Sequence, residues 1–229
     1  KLTLSPPASV ELRGFSTRGK VEIDGSPAPT FRFQDTQEYS RTRQALAYAG
    51  LSAELFNGRF HNRLSYALTD IRRRNIDPGS TQRETFAGEG RTYRAEYQGV
   101  FDVTPRYQAT LGAEHETSRF NSSSFGGPVA LGRATLSSLY GQLLATPIDA
   151  LTLSAGLRSD EHSRFGATTT KAASGVVRLG SSKLRASYSQ GFKAPTLFQL
   201  QSQFGNSALR PERSSGWDAG LTHQLLGGK

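Results

Sequence analysis

Residues 93–103 read YRAEYQGVFDV. Tyr93, Ala95, Tyr97, Gly99, Phe101 and Val103 fall on one side of this stretch, and Arg94, Glu96, Gln98, Val100 and Asp102 on the other. Side chains alternate across a strand with period two, whereas a helix repeats every 3.6 residues, so the stretch reads as a strand with one apolar and one polar face. The same alternation recurs in RLSYALTD (63–70), YQATLGAEHE (107–116) and LTLSAGLRSD (151–160). In RATLSSLYGQLLA (133–145) leucines stand on both faces, and the register stays open.

Outward from these segments, the period predicts strands at about 8–22, 41–55, 60–75, 89–103, 106–121, 132–146, 150–165, 171–180, 183–192 and 213–225, with ends uncertain by a few residues. No helix of ordinary length competes. The connections FNGR (56–59), TPR (104–106), PIDA (147–150) and GSSK (180–183) are short and rich in turn formers. Between them lie longer connections at about 23–40, 76–88, 122–131, 166–170 and 193–212, of which 166–170 is the shortest.

Short and long connections thus alternate, as in an up-and-down meander with all its long loops on one side. An outer-membrane barrel has this rhythm, with short periplasmic turns and long outer loops. The strands also suit a membrane: a tilted crossing needs about 9–11 residues, while strands of soluble proteins run to about 5–6. In lipid every backbone N–H and C=O must be paired inside the protein, so a spanning sheet has to close. The alternation by itself is equally that of a soluble antiparallel sandwich or of a passive porin. Strand length and loop rhythm favour the membrane wall over the sandwich.

Composition narrows the classes further. The chain has 229 residues, of which 35% are hydrophobic, with 24 glycines, 8 tyrosines and 13 phenylalanines. No apolar run approaches the roughly 18 residues of a membrane helix. Without cysteine there is neither a disulfide nor a thiolate metal site. The net charge of +9 suits an anionic ligand, an anionic lipid or nucleic acid. The basic residues, Arg72, Arg73 and Arg74 among them, are spread over strands and loops rather than gathered in one helix or tail, which argues against nucleic acid. No signal peptide or methionine is present, and Lys1 and the tail LLGGK (225–229) read as cut ends of something longer.

ASYSQGFKAPTLFQL (186–200) and FGNSALRPERSSGWDAGL (204–221) carry a more specific signal. Gly191, Phe192, Lys193, Ala194 and Pro195, then Gly205, Asn206, Leu209, Arg210, Pro211, Glu212, Ser214 and Gly220, resemble the loop-forming motif of the TonB-dependent outer-membrane receptors. Ser207, Arg210 and Asp218 are mild departures, standing where proline, lysine and glutamate are common. FQDTQEYSRTRQ (33–44), ALTDIRRRNIDPG (67–79) and LSAGLRSDEHS (153–163) are similar to the family more loosely; the flavour is that of the vitamin B12 and siderophore receptors.

The resemblance implies an all-β, antiparallel up-and-down transmembrane β-barrel, present in part: about ten strands of a barrel of about 22 that a plug domain fills. Residues 1–229 would form part of that single barrel domain, with the plug and the terminal strands absent. It implies an active transporter and not an enzyme, in the bacterial outer membrane, importing a scarce nutrient such as a ferric siderophore or cobalamin. The implied partners are the TonB–ExbB–ExbD complex, outer-membrane lipid and lipopolysaccharide, and the nutrient itself; no cofactor and no nucleic acid is expected. With open sheet edges, the chain expressed alone is expected to give inclusion bodies or mixed oligomers.

Under this reading Tyr188 ends the lipid-facing run, Gly191 and Pro195 release the chain from the ladder, and an outer loop returns as a strand holding Trp217. Phe192, Leu197, Phe198 and Leu200 would fold over the barrel mouth or join an aromatic girdle. Gly191, Phe192, Lys193, Ala194, Pro195, Asn206, Leu209, Pro211 and Glu212 are read as loop-shaping. Arg63, Arg94, Arg158 and Arg185 are candidate lumen-facing cations, able to attract an anionic chelate or, as the stronger expectation, to pair with the plug or with Glu96, Asp102 and Glu114. Glu114 and Glu116 share a face and read as polar lining rather than as a paired acid or cation site. His61, His115, His162 and His223 lie on different strands without metal-ligand spacing.

Overall fold

The structure, a computed structural model, describes residues 2–5, 8–27 and 29–225. Lys1 and Lys229, on which the cut-end reading partly rests, lie outside them. Eleven strands form one antiparallel sheet in strict chain order. They are β1 (Leu2–Ser5), β2 (Ala8–Glu22), β3 (Tyr39–Leu55), β4 (Phe60–Ile76), β5 (Glu84–Thr104), β6 (Tyr107–Ser124), β7 (Ala130–Ile148), β8 (Leu151–His162), β9 (Gly166–Leu179), β10 (Ser182–Lys193) and β11 (Glu212–His223). A five-residue helix, α1 (Leu197–Gln201), interrupts the last loop. The ten expected strands are present, and only the four-residue β1 and the short helix are additions. All strands belong to one sheet, so the two-layer sandwich is not formed.

The turns follow their residues. Between β3 and β4 the chain passes through left-handed backbone at Phe56, Asn57 and Gly58, with φ of 54°, 58° and 82°. Asn and Gly tolerate that region, and Phe56 is held by stacking on Phe60 at 6.2 Å. The opposite rim carries the longer loops, except between β8 and β9, where only residues 163–165 connect the strands and the connection expected at 166–170 belongs to β9; the loop between β10 and β11 is folded inward.

Register decides which residues share a face, because directly opposed side chains in an antiparallel pair lie together. One face carries the row Val10, Leu51, Leu64, Tyr97, Ala113, Leu139 from β2 to β7. Further along, Leu153, Gly175, Ala186 and Ala219 share a row, and Tyr188 pairs with Trp217. This face lies open: Leu111 and Leu139 are each 67% exposed and Trp217 79%. The other face is crowded, and the buried side chains that its strands carry, Ser40, Ser122, Ser124, Ser138, Asp160, His162 and Thr168, are all polar. Side chains converge on the concave side of a curved sheet and splay on the convex side, so the polar face is the inner one. Register also places the leucines of 133–145: Leu139 and Leu143 face outward, Leu136 and Leu144 inward.

Among the described residues only one large apolar side chain is buried, Leu200 at 4%, and it belongs to α1 rather than to the sheet. A water-soluble sheet of this size would have to bury its apolar face. Here that face is continuous and outward, as a wall in lipid requires. Along β2 to β9 the band starts at the short-turn rim and ends at a first charged residue: Arg18 on β2, Arg43 on β3, Asp70 on β4, Arg91 on β5, Arg119 on β6, Arg133 on β7, Glu161 on β8 and Lys171 on β9. From Val103 to Tyr93 on β5 the band covers ~33 Å of strand, or ~25 Å of height at a tilt of ~40°.

Candidate functional site

The inner face carries a connected polar network across β5 to β8. Arg94 on β5 opposes Glu116 on β6, and its Nη2 lies 2.5 Å from Glu116 Oε2. Arg94 Nε also reaches Glu114 Oε1 at 3.5 Å. From β8, Arg158 Nη2 lies 3.7 Å from Glu114 Oε2, and Arg158 Nε lies 2.8 Å from Asp160 Oδ1. Ser138 on β7 donates to Asp160 at 2.5 Å and accepts from Arg158 at 2.8 Å. Tyr140 donates to Glu96 at 3.3 Å and accepts from Gln98 at 3.2 Å, while Arg158 stands over its ring at 5.7 Å. Charged groups on an inner wall need such mutual satisfaction, because each loses part of its hydration.

The four candidate arginines therefore separate. Arg94 and Arg158 meet through Glu114. Arg63 is engaged elsewhere, donating from Nε and Nη2 to the Tyr48 hydroxyl at 3.1 and 2.7 Å. Arg185 lies against the Gly220 backbone near the short-turn rim, where a Cβ would stand 2.8 Å from its Nε. Glu114 and Glu116 lie on one face, and both are held by Arg94. The histidines stay apart: His61 lies near Glu54 and Asp102, His115 bonds Ser137, His162 lies against the Phe165 ring at a tilt of 40° and His223 bonds Ser182. Among the described residues no three acidic or imidazole side chains gather as a metal site.

Above this network the loop 194–211 turns in over the polar face. The ladder does not release at Gly191, as the sequence suggested: it runs on through Gly191–Ser214 and Phe192–Arg213 to Lys193–Glu212, and the chain leaves at Ala194 and Pro195. Lys193 Nζ and Glu212 Oε2 stand 3.8 Å apart at the loop's base, and Arg213 covers the Phe192 ring at 5.9 Å. Thr196 then caps α1: its hydroxyl accepts from Gln199 N at 3.2 Å, and Gln199 Oε1 accepts from Thr196 N at 2.9 Å. This reciprocal capping box gives a helix of only five residues a defined start.

The helix docks inward through Phe198, edge-on to Phe86 at 6.1 Å and to Phe120 at 5.9 Å. Phe198, Leu197 and Leu200 thus overhang the inner face rather than join an outer girdle. Gly132 on β7 permits the approach, since a Cβ there would lie 2.5 Å from Gln201 Oε1 and 3.4 Å from Leu197 Cβ. On the return, Asn206 N donates to Gln199 O at 2.7 Å, and the Asn206 side chain accepts from Ala208 N at 2.9 Å. Leu209 N donates to Asn206 O at 3.3 Å, and Pro211 leads into Glu212 at the start of β11. Arg164, from the neighbouring loop, donates to Ser207 O at 2.7 Å.

Between α1 and the sheet lies a cleft of about 200 Å³, with Leu136, His162, Arg164, Pro195, Leu200 and Gln201 in its lining. Glu116 and Ser118 form its floor and connect it to the polar network. Of the loop motif, Ala194 and Pro195 line this cleft, while Asn206 and Leu209 build the turn behind it. Sequence reasoning missed the partners of the helix: Phe86, Phe120 and Gly132. The Thr196–Gln199 spacing was the available signal for the helix itself.

Comparison with known proteins agrees with this geometry. The family model described as TonB dependent receptor-like, beta-barrel, matches residues 4–229. A mutant of the ferric enterobactin receptor PfeA from Pseudomonas aeruginosa superposes with a TM-score of 0.81 at 18% identity, over 98% of this chain and 39% of that one. The siderophore receptor PirA from the same organism gives 0.75 at 16%, over 98% and 42%. PirA from Acinetobacter baumannii gives 0.78 at 14%, over 97% and 39%. The chain thus spans about two fifths of the length of the solved receptors it matches.

Proposed function

The chain belongs to the TonB-dependent receptor β-barrel family, whose members are outer-membrane transporters and not enzymes, and we propose that it forms part of the wall of a receptor importing a ferric siderophore. The carrying observation is the pairing of an outward apolar band with an inner polar wall overhung by the loop 194–211. An anionic iron chelate entering from the loop side would first meet the cleft beneath α1, where Arg164 stands in the lining. Below it, the Arg94–Glu114–Arg158 network offers charged groups that can exchange partners with a plug domain or a passing ligand.

The similarity to receptors whose names specify enterobactin or a siderophore supports iron over cobalamin as cargo. In the full receptor the energy would come through the TonB–ExbB–ExbD complex, and the wall would stand in outer-membrane lipid and lipopolysaccharide.

The test is uptake of a radiolabelled ferric catecholate siderophore by cells making the full receptor, compared in otherwise identical strains with and without TonB. Accumulation that requires both receptor and TonB is expected. Accumulation that is equal without TonB would replace this reading with a passive pore. No accumulation of iron chelates, with uptake of cobalamin instead, would change the cargo.

A further inference from the structure

The turn 163–165 ties the folded loop to the wall, and one side chain sets its shape. His162 closes β8 with its ring turned inward, 9% exposed, beside the cleft beneath α1. Its Nδ1 accepts from Arg164 N at 3.1 Å, so the ring is neutral and carries its proton on Nε2. Other bonds hold the rest of the turn: Ser163 N donates to Thr135 O at 2.9 Å, and Phe165 N to His162 O at 3.2 Å. The Arg164 N–H depends on the imidazole. The Arg164 guanidinium, in turn, is what reaches Ser207 O in the loop 194–211, at 2.7 Å.

The docked loop is held by a small margin. Phe198 meets two rings and Leu200 is buried, but Gln201 Oε1 and Ser202 Oγ are buried without a hydrogen-bond partner among the described residues. Each such orphan offsets part of the apolar gain. A modest change at the turn is then enough to move the loop.

A proton on Nδ1 is such a change. It turns the acceptor into a donor facing another donor, and it sets an imidazolium beside the Arg164 guanidinium. Among the described residues no carboxylate stands free to receive that charge. On β6, both oxygens of Glu116 are engaged, by Arg94 and by Ser118. On β8 itself, Asp160 is held by Arg158 and Ser138, and Glu161 faces outward. β11 contributes a further cation, Arg213, which donates to Thr168 on β9 at 3.1 Å. Arg133 on β7 faces outward, and the residues that β7, β9 and α1 turn toward the ring are uncharged.

His162 lies one residue past Glu161, where the apolar band ends on β8, and so above the lipid. Burial first, and then the Arg164 charge, hold its pKa below the ordinary imidazole value of 6.5. The docked ring therefore resists a proton that the released, solvated ring takes at about 6.5. Docking keeps its full strength above that pH and weakens as pH falls toward the docked value, about tenfold for each unit between the two.

We propose that His162 is a pH-sensitive latch: neutral, it fixes Arg164 on Ser207 and keeps the loop 194–211 docked over the cleft; protonated, it frees the loop and opens the cleft. The latch regulates the entry route of the proposed uptake function, and it rests on that reading for its use but not for its geometry.

The test is double electron–electron resonance on the full receptor in nanodiscs, with spin labels at two exposed positions, Gln203→Cys in the loop and Ser181→Cys in a short turn of the opposite rim. Between about pH 8 and about pH 5, one narrow distance should give way to a second, broader population, with the docked-to-released ratio falling about tenfold. His162→Asn keeps an acceptor for the Arg164 N–H, as in an Asx-turn, but takes up no proton, and should stay docked throughout. Arg164→Gln should release part of the loop at every pH. Distances that ignore pH in the native receptor, or a His162→Asn loop that still opens in acid, would overturn the proposal. Heat-modifiable migration reports folding of each variant, and His162→Gln replaces His162→Asn in the same comparison if the latter does not fold. The distances are read without cargo, so a failure of TonB-dependent uptake strikes the transport reading and leaves the latch standing.

Discussion

Leu111 is the place to ask whether the outward face meets lipid or water. It stands on β6, opposed by Gly99 and Gly141, so no large neighbour shields it. From Tyr107 at the short-turn rim, four residues of ~3.4 Å at a tilt of ~40° put it about 10 Å up a band of ~25 Å. An arginine there is too deep to reach either rim easily and should cost ~2–4 kcal/mol. At ~1.4 kcal/mol per decade, Leu111→Arg lowers the folded-to-unfolded ratio roughly 30- to 1,000-fold. The adjacent Thr110 points to the polar side, opposed by Val100 and Gln142, and Thr110→Arg should stay within about 0.5 kcal/mol. The assay is urea unfolding of the full receptor in vesicles of uncharged lipid, scored by heat-modifiable migration. A water-facing surface would tolerate both changes within about 0.5 kcal/mol. That result, or a Thr110→Arg penalty equal to that of Leu111→Arg, would refute the assignment of faces.

Other perturbations probe the inner side. Phe198→Ala removes two edge-on aromatic contacts of ~0.5–1.5 kcal/mol each, so hydrogen exchange at 197–201 should quicken about 5- to 150-fold while barrel unfolding stays unchanged. Gly132→Val should push α1 off the wall and lower siderophore uptake, and Gly132→Ala should do so less; unchanged uptake in both would show that the docked position is dispensable. Asp160 is 7% exposed and holds both Arg158 and Ser138. Asp160→Ala should therefore cost ~1–3 kcal/mol in the same unfolding assay, and a neutral result would mean that the network contributes nothing to stability.

The strands were legible because a two-faced wall writes its period into every crossing, as YRAEYQGVFDV does. The exceptions have local causes. LTLS in β1 is too short to show a period. β7 carries Leu136 on its inner face because α1 roofs that position, which breaks the alternation. The ladder continued past Gly191 because glycine weakens a strand without removing a donor; only at Pro195 is the N–H lost. The site was legible as a loop but not as a docked helix, since Phe86, Phe120 and Gly132 are remote in sequence from Phe198. The basic residues looked scattered along the chain. Arg18, Lys20, Arg41, Arg43, Arg72 and Arg74 become neighbours only through the pairing of three strands.

The first charged residues along the band do not follow the hydrogen-bonded rows. Seven successive pairings carry Ala8 on β2 to Lys171 on β9. Yet the boundary residue on β2 is Arg18, about ten residues further along. About ten residues of rise, ~33 Å, are thus lost across about seven strand spacings, ~34 Å, which is a slope near 45°. Equal immersion therefore runs diagonally over the weave: Arg18, Glu161 and Lys171 ride at one waterline, whereas the hydrogen-bonded kin Ala8 and Lys171 do not.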